Sequence, residues 1–257
     1  MMAGRLDGKV ALISGAARGM GASEARLFAT EGAEVVLGDV LDEDGAKVAS
    51  EIGERASYVH LDVTSEESWL AAVAHARERF GKLDVLVNNA GILRFNAIEN
   101  TPLEEYEAVI RVNQVGCFLG MKSAIPALRD AGGGAIVNIS SAAGLEAMPG
   151  IVSYCSSKFA VRGMTKVAAL EFGAHAVRVN SVHPGGTNTP MVAMGDFSEA
   201  EKEGYEPPQP IKRVAEPEEI AELVLWLASD ASSYCTGAEF VIDGGLTAGS
   251  PFTPIDS

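Results

Sequence analysis

The strongest constraint on this chain is a set of short β-rich runs that are apolar nearly throughout, of which Val10–Ser14 is the first. A strand with one wet face alternates apolar and polar residues, whereas a strand covered on both faces need not, and that is the habit of parallel sheets. Such runs are read at Val10–Ser14, Glu34–Asp39, Ser57–Leu61, Val85–Asn88, Ala135–Ser140, Arg178–His183 and Glu239–Ile242. Helical patterns lie between them at Gly21–Glu31, Glu66–Phe80, Leu103–Leu128, Ser153–Phe172 and Pro217–Ala228, punctuated by Thr64 or Ser65, by Gly81 and by Glu216-Pro217. Alternation of strand and helix requires right-handed crossovers. The expected class is therefore α/β: a doubly wound, mostly parallel seven-stranded sheet with helices on both faces. One core can serve 257 residues, so residues 1–257 are read as a single domain. The stretch 189–214, rich in Pro, Gly and Glu, carries no clear element and is expected to act as a substrate lid.

Charge narrows the function. Lys and Arg number 20 against 35 Asp and Glu, a net charge of −15, so nucleic acid and anionic membrane surfaces are excluded as partners. The N-terminal apolar run Val10–Ile13 is too short for a signal core or a membrane span. Three cysteines, Cys117, Cys155 and Cys235, form no CxxC pair, so neither a disulfide framework nor a zinc site is expected. By exclusion, the expected location is cytoplasmic.

The first strand leads into Ser14-Gly15-Ala16-Ala17-Arg18-Gly19-Met20-Gly21 and then a helix. Glycines at 15, 19 and 21 allow a sharp turn and a close backbone approach to a pyrophosphate, whose charge then meets the N–H groups of the helix start. Asp39 closes the second strand, where a carboxylate accepts from the adenosine ribose hydroxyls and repels a 2′-phosphate. NAD is therefore the expected cofactor. Arg18 argues weakly for NADP, but no base follows Asp39 at Val40 or Leu41. Asp62 stands either against adenine or as a helix-capping acid.

Further motifs follow in order: Asn88-Asn89-Ala90-Gly91, Asn113, Ser140-Ser141, Tyr154-Cys155-Ser156-Ser157-Lys158 and Pro184-Gly185. With them the chain, from Gly8 to about Gly249, resembles the short-chain dehydrogenase/reductase family, whose fold is a Rossmann domain. Within that family the stretches 39–43, 138–145 and 233–239 look most like bacterial 3α(20β)-hydroxysteroid dehydrogenases. Two departures are minor: Ser14 stands where the family usually has Thr, and Ser156 where it commonly has Ala. The resemblance implies that Ser141 hydrogen-bonds the substrate oxygen, Tyr154 exchanges its proton, Lys158 also holds the nicotinamide ribose, and Asn113 positions a relay water. It implies cofactor contacts at Gly15, Arg18, Gly19, Met20, Gly21, Asp39, Asp62, Val63, Asn89, Ala90, Gly91, Tyr154, Lys158, Pro184, Gly185, Thr187 and Thr189. It further implies a homotetramer.

Tyr154 and Lys158 are four residues apart and share one helical face. A phenol of pKa near 10 is only about 0.1% ionised at pH 7, a handicap of roughly 4 kcal/mol to a base. A neighbouring ammonium and a cationic nicotinamide are expected to lower it. No metal is expected, since the histidines at 60, 75, 175 and 183 show no common ligand spacing. The leading expectation is an NAD-dependent dehydrogenase of a secondary alcohol, bulky and apolar, with a pocket lined by 93–95, 145–150 and the lid. Two alternatives stand beside it: an NADPH-dependent ketoacyl reductase, and a catalytically silent nucleotide sensor of the same fold. Outward apolar residues at Val115, Phe118, Leu119, Phe159, Val161, Met164 and Val167, and the apolar tail Pro251–Ile255, are expected at subunit contacts.

Overall fold

In the computed structural model, which describes residues 4–193 and 209–249, seven strands form one sheet. They are β1 (Val10–Ser14), β2 (Glu34–Asp39), β3 (Ala56–His60), β4 (Val85–Asn88), β5 (Gly134–Ile139), β6 (Val177–Pro184) and β7 (Glu239–Ile242). Their order is β3-β2-β1-β4-β5-β6-β7, and every pairing is parallel, so the sheet is parallel throughout rather than mostly so. The crossovers carry α1 (Gly19–Thr30), α2 (Asp42–Ile52), α3 (Glu66–Phe80), α4 (Leu103–Ile110), α5 (Gly116–Asp130) and α6 (Val152–Phe172). The turn α7 (Pro190–Ala193) and α8 (Pro217–Ala228) follow.

The apolar strand runs are explained by two cores. Ala11 and Ile13 face the layer of Phe28, Ile220 and Val224, while Val10 and Leu12, their immediate neighbours, face that of Trp69, Leu128 and Val161. Successive residues of β1 thus bury opposite faces, each large side chain contributing about 1.5–3 kcal/mol. Leu119 and Val161, expected at the outer surface, belong to the second core instead. Phe118, Phe159 and Val167 are exposed as expected.

Helix ends follow local chemistry. Ser65 accepts from the Ser68 N–H at 3.2 Å, Gly81 closes α3 at φ +87°, and Glu216 and Glu219 form a reciprocal box at the start of α8. Two elements depart from expectation. The helix α2 was not anticipated, because only Gly45, Val48 and Ala49 of it are buried and its first turn is acidic. Gly45 is required there: a Cβ would lie 2.2 Å from the Tyr58 ring. The long helix expected over Leu103–Leu128 is interrupted at Arg111–Val115 by a wider π turn, which carries Asn113.

Among the described residues no helix is long and apolar enough to cross a membrane, and no group of three His, Cys, Asp or Glu side chains could hold a metal ion. The three cysteines are free. The parallel arrangement brings the C-terminal ends of β1, β2, β4, β5 and β6 to one edge, with the switch in strand order between β1 and β4.

Candidate active site

At the end of β1 the chain turns through Gly15 (φ +68°) and Gly19 (φ +57°) into α1. A Cβ on Gly15 would meet the Ala90 Cα at 2.8 Å, and one on Gly21 the Gly15 carbonyl oxygen at 2.2 Å. The turn is therefore tight enough to demand glycine at both places. Asn89 braces it, its side-chain amide donating to the Ser14 and Gly15 carbonyls at 3.1 and 3.0 Å. The Ser14 hydroxyl accepts from the Asn89 and Ala90 N–H groups. Among the described residues the N-cap Arg18 makes no side-chain cap bond and is exposed, so the first amides of α1 can receive an anion. Gly19 packs against the Thr189 methyl.

Asp39 is buried beside this turn and accepts from the Ala17 N–H at 3.0 Å and the Leu41 N–H at 3.1 Å. Behind it, Tyr58 donates its hydroxyl between the Asp39 carbonyl and the Asp42 carboxylate, both at 2.6 Å. Asp42, Glu43 and Asp44 open α2 immediately after. Asp62 turns its carboxylate to the Thr64 N–H and hydroxyl at 2.9 and 2.8 Å, a local turn ahead of α3, whose cap is Ser65. Val63 packs on Gly116 and gives its carbonyl to the Trp69 indole. An uncapped helix start beside glycines and a ribose-accepting carboxylate fits the adenosine and pyrophosphate of a dinucleotide.

The second cluster lies across β4, β5 and α6. Lys158 is buried and its ammonium donates to the Ile139 carbonyl at 2.8 Å, 5.4 Å from the centre of the Tyr154 ring. Tyr154 is half-buried and hydrogen-bonded to the Ser141 hydroxyl, whose oxygen also accepts from the Ala143 N–H at 3.1 Å. Asn113 is fixed by three bonds: its oxygen accepts from the Ile92 N–H at 2.8 Å, and its amide donates to the Ile92 carbonyl at 3.0 Å and the Ser157 hydroxyl at 3.1 Å. Gly91 lies between, with Asn113 Oδ1 and Lys158 Nζ 3.4 and 3.6 Å from where a Cβ would stand.

Burial dominates the titration of this cluster. It pushes Lys158 down to about 8 and pushes the Tyr154 phenol above its ordinary value, the Ser141 hydrogen bond working the other way. The expected lowering of Tyr154 by Lys158 is thus not met among the chain's own groups, because the ammonium is spent on the Ile139 carbonyl and is itself desolvated. Cys117, behind Lys158, is pushed up to about 12 by burial and is no nucleophile.

Pro184 ends β6, and Gly185 lies against Asp243, whose Cα would be 2.9 Å from a Cβ there. Thr187 is buried and bridged to Ala215, and the Thr189 hydroxyl donates to the Thr187 carbonyl at 3.3 Å. Segments 93–96 and 150–151 meet through the Asn96 N–H and the Gly150 carbonyl at 2.8 Å, just ahead of the helix that carries Tyr154. The greater part of the expected lid, residues 194–208, and the tail 251–255 lie outside the described residues. Sequence reasoning missed His183, fully buried behind Ser141, and Tyr58 behind Asp39. The one signal was a polar ring inside a β-rich run, next to last in β6 for His183 and central in β3 for Tyr58.

A sequence model described as Enoyl-(acyl carrier protein) reductase matches residues 15–247. The chain is 51% identical over 251 residues to a 3-alpha-(or 20-beta)-hydroxysteroid dehydrogenase of Mycobacterium bovis, covering 96% of this chain and 93% of that one. It is 49% identical over 255 residues to a trans-4-hydroxycyclohexanecarboxylate dehydrogenase of Sinomonas cyclohexanicum, covering 96% and 95%. A crystal structure of a short-chain type dehydrogenase/reductase from Mycobacterium marinum superposes with TM-score 0.88 at 37% identity, covering 95% of this chain and 97% of that one. With glycine turn, Asn113, Ser141, Tyr154 and Lys158 all in register, the chain belongs to the short-chain dehydrogenase/reductase family.

Proposed function

We propose that this enzyme is an NAD-dependent dehydrogenase of secondary alcohols, working also as a ketone reductase, with a bulky apolar ring alcohol such as a hydroxysteroid as substrate. The observation that carries the reading is the convergence of Ser141, Tyr154 and Lys158 within one hydrogen-bonded cluster beside an uncapped helix start. The two curated relatives named above support the substrate class, because both names describe secondary alcohols of ring-bearing molecules, a steroid and a cyclohexane.

When bound, NAD supplies the hydride acceptor and, through its ring, a positive charge. Tyr154 would take the proton from the alcohol oxygen while the carbon bearing that oxygen gives up its hydride to the cofactor, and would return the proton to the oxygen in ketone reduction. Ser141 donates to the substrate oxygen and holds it against the phenol. Lys158, one helical turn from Tyr154 and bonded to the Ile139 carbonyl, has further ammonium donors that would hold the ribose hydroxyls. Asn113, rigid on its π turn, holds the Ile92 loop and positions a relay water. Pro184, Gly185, Thr187 and Thr189 would hold the carboxamide end of the cofactor.

The choice of NAD rests on Asp39, and the acidic first turn of α2 adds negative charge nearby, unfavourable to a 2′-phosphate. A carrier-protein reductase is less favoured: the net charge is −15, and Lys122, a candidate docking base, is paired with Glu66 at 2.6 Å. The test is a panel of cyclic alcohols and ketones with NAD(H) and NADP(H), read at the nicotinamide absorbance band, with Asp39→Ala alongside. Turnover with NAD(H) is expected, and Asp39→Ala is expected to raise kcat/KM for NADP(H) about tenfold, the worth of about 1.4 kcal/mol. Equal kcat/KM for both cofactors in the unaltered protein would remove the cofactor assignment; no turnover with any member would remove the reaction.

A further inference from the structure

We infer that His183 is a positioning residue for Ser141, holding the serine at the angle from which its hydroxyl reaches the Tyr154 phenol and the substrate oxygen. The inference rests on the proposed reaction and extends it to a residue outside the reacting cluster.

The need for such a residue comes from the sheet. The β5 ladder ends where the Ser140 N–H donates to the Val182 carbonyl at 2.8 Å. At Ser141 the chain stays extended, with φ −172°, and then enters a tight turn over Ala142–Gly144. The Ser141 carbonyl, past the end of the ladder, accepts from the Gly144 N–H at 2.9 Å within the turn, and the next residue along β6, His183, supplies the contact that ties it to the sheet: its ring Nδ1 lies 3.1 Å from that oxygen.

The tautomer follows from the partners. A carbonyl only accepts, so Nδ1 carries the proton; Nε2 then accepts from the Ser181 hydroxyl at 2.9 Å. Ser181 has a second acceptor, the Ala238 carbonyl, at a longer 3.5 Å. The other end of the turn is held independently: Arg162 donates to the Gly144 carbonyl at 2.8 Å and to Glu239 of β7 at 3.0 Å. The Ser141–Gly144 turn is thus clamped by a ring on β6 and a guanidinium on α6.

The charged groups around the ring are Glu239 from β7 and Arg162 and Lys158 from α6. Burial is the largest influence on the imidazole and, with the two cations, holds its pKa below the ordinary value; Glu239 and the Ser141 bond oppose it.

The test pairs His183→Leu, which keeps volume and loses the donor, with His183→Asn, whose side-chain amide stands near the position of Nδ1. Using the most active alcohol of the panel and NAD⁺, His183→Leu is expected to lower kcat about ten- to a hundredfold through misplacement of Ser141, with NADH affinity by fluorescence unchanged. The pH at which alcohol oxidation reaches half its maximum is expected to move up, because the Ser141 bond that favours the phenolate is lost. His183→Asn is expected to recover kcat to within about threefold of the unaltered protein. Wild-type kcat and pH profile in His183→Leu would overturn the inference, as would equal damage in both variants accompanied by weakened NADH binding. Should His183→Leu fail to fold, the ring nitrogens of His183 in the unaltered protein, followed by ¹⁵N NMR, decide the matter: a proton on Nδ1 at neutral pH sustains the clamp and one on Nε2 ends it. That measurement needs no turnover, so it separates a wrong clamp from a wrong reaction.

Discussion

Tyr154 is held as a protonated phenol by its own surroundings: burial raises it, and the hydrogen bond from Ser141 recovers only part of the difference. A protonated phenol is ready to give its proton to a ketone, whereas alcohol oxidation needs the phenolate. The sign follows directly. Oxidation by the enzyme is expected to accelerate as pH rises above 7 and ketone reduction to slow over the same interval, measured as kcat for each direction. Tyr154→Phe is expected to cost about 10²–10⁴-fold in kcat while NADH fluorescence binding survives; near-normal kcat in that variant would dismiss Tyr154 as the proton carrier. The pair was legible in the sequence because a four-residue spacing on a helix is a contact. His183 was not, since nothing along the chain ties residue 183 to residue 141; only the β5–β6 register does.

Along α1 the packing against α8 contains an anomaly. Glu24 is fully buried, both carboxylate oxygens lack partners among the described residues, and burial pushes it up to about 8. Its neighbour Ser23 donates to Glu218 of α8 at 3.3 Å, but nothing answers Glu24 itself. A carboxyl raised in the fold favours the native state fully below its unfolded pKa, near 4.5, and progressively less as pH climbs to about 8. Glu24→Met, similar in size and without polar atoms, is expected to stabilise by about 1–3 kcal/mol at pH 8 and by less at pH 4.5. Thermal unfolding at the two pH values checks it; an equal change in Tm at both would show that ionisation plays no part. The strands were readable as elements because both their faces are covered. The helix α2 was not, because its buried side is little more than Val48 and Ala49 against Tyr58. The π turn at Arg111–Val115 has no sequence period of its own, so Asn113 was read as one position in a continuous helix.

Over the molecule as a whole, apolar side chains remain uncovered on one side. Phe159, Val167 and Leu170 lie along the outer face of α6, Leu170 at 85% exposure, and Gly163 between them leaves open space. Phe118 of α5 is also exposed. Two such faces meeting about a two-fold axis would bury them, and a second contact would close a tetramer. Light scattering at micromolar concentration is expected to report four subunits, or two if only the helical faces meet; a stable monomer of 26.8 kDa would rule this out. The strand order bears on synthesis as well. No neighbouring pair of strands is a hairpin, and β1 finds its second partner only when Val85–Asn88 has been made. A growing chain at the ribosome therefore carries the finished trio β1–β3 with an open central edge for as long as α3 takes to translate, and that interval is when another nascent copy or a chaperone has its best access to the sheet.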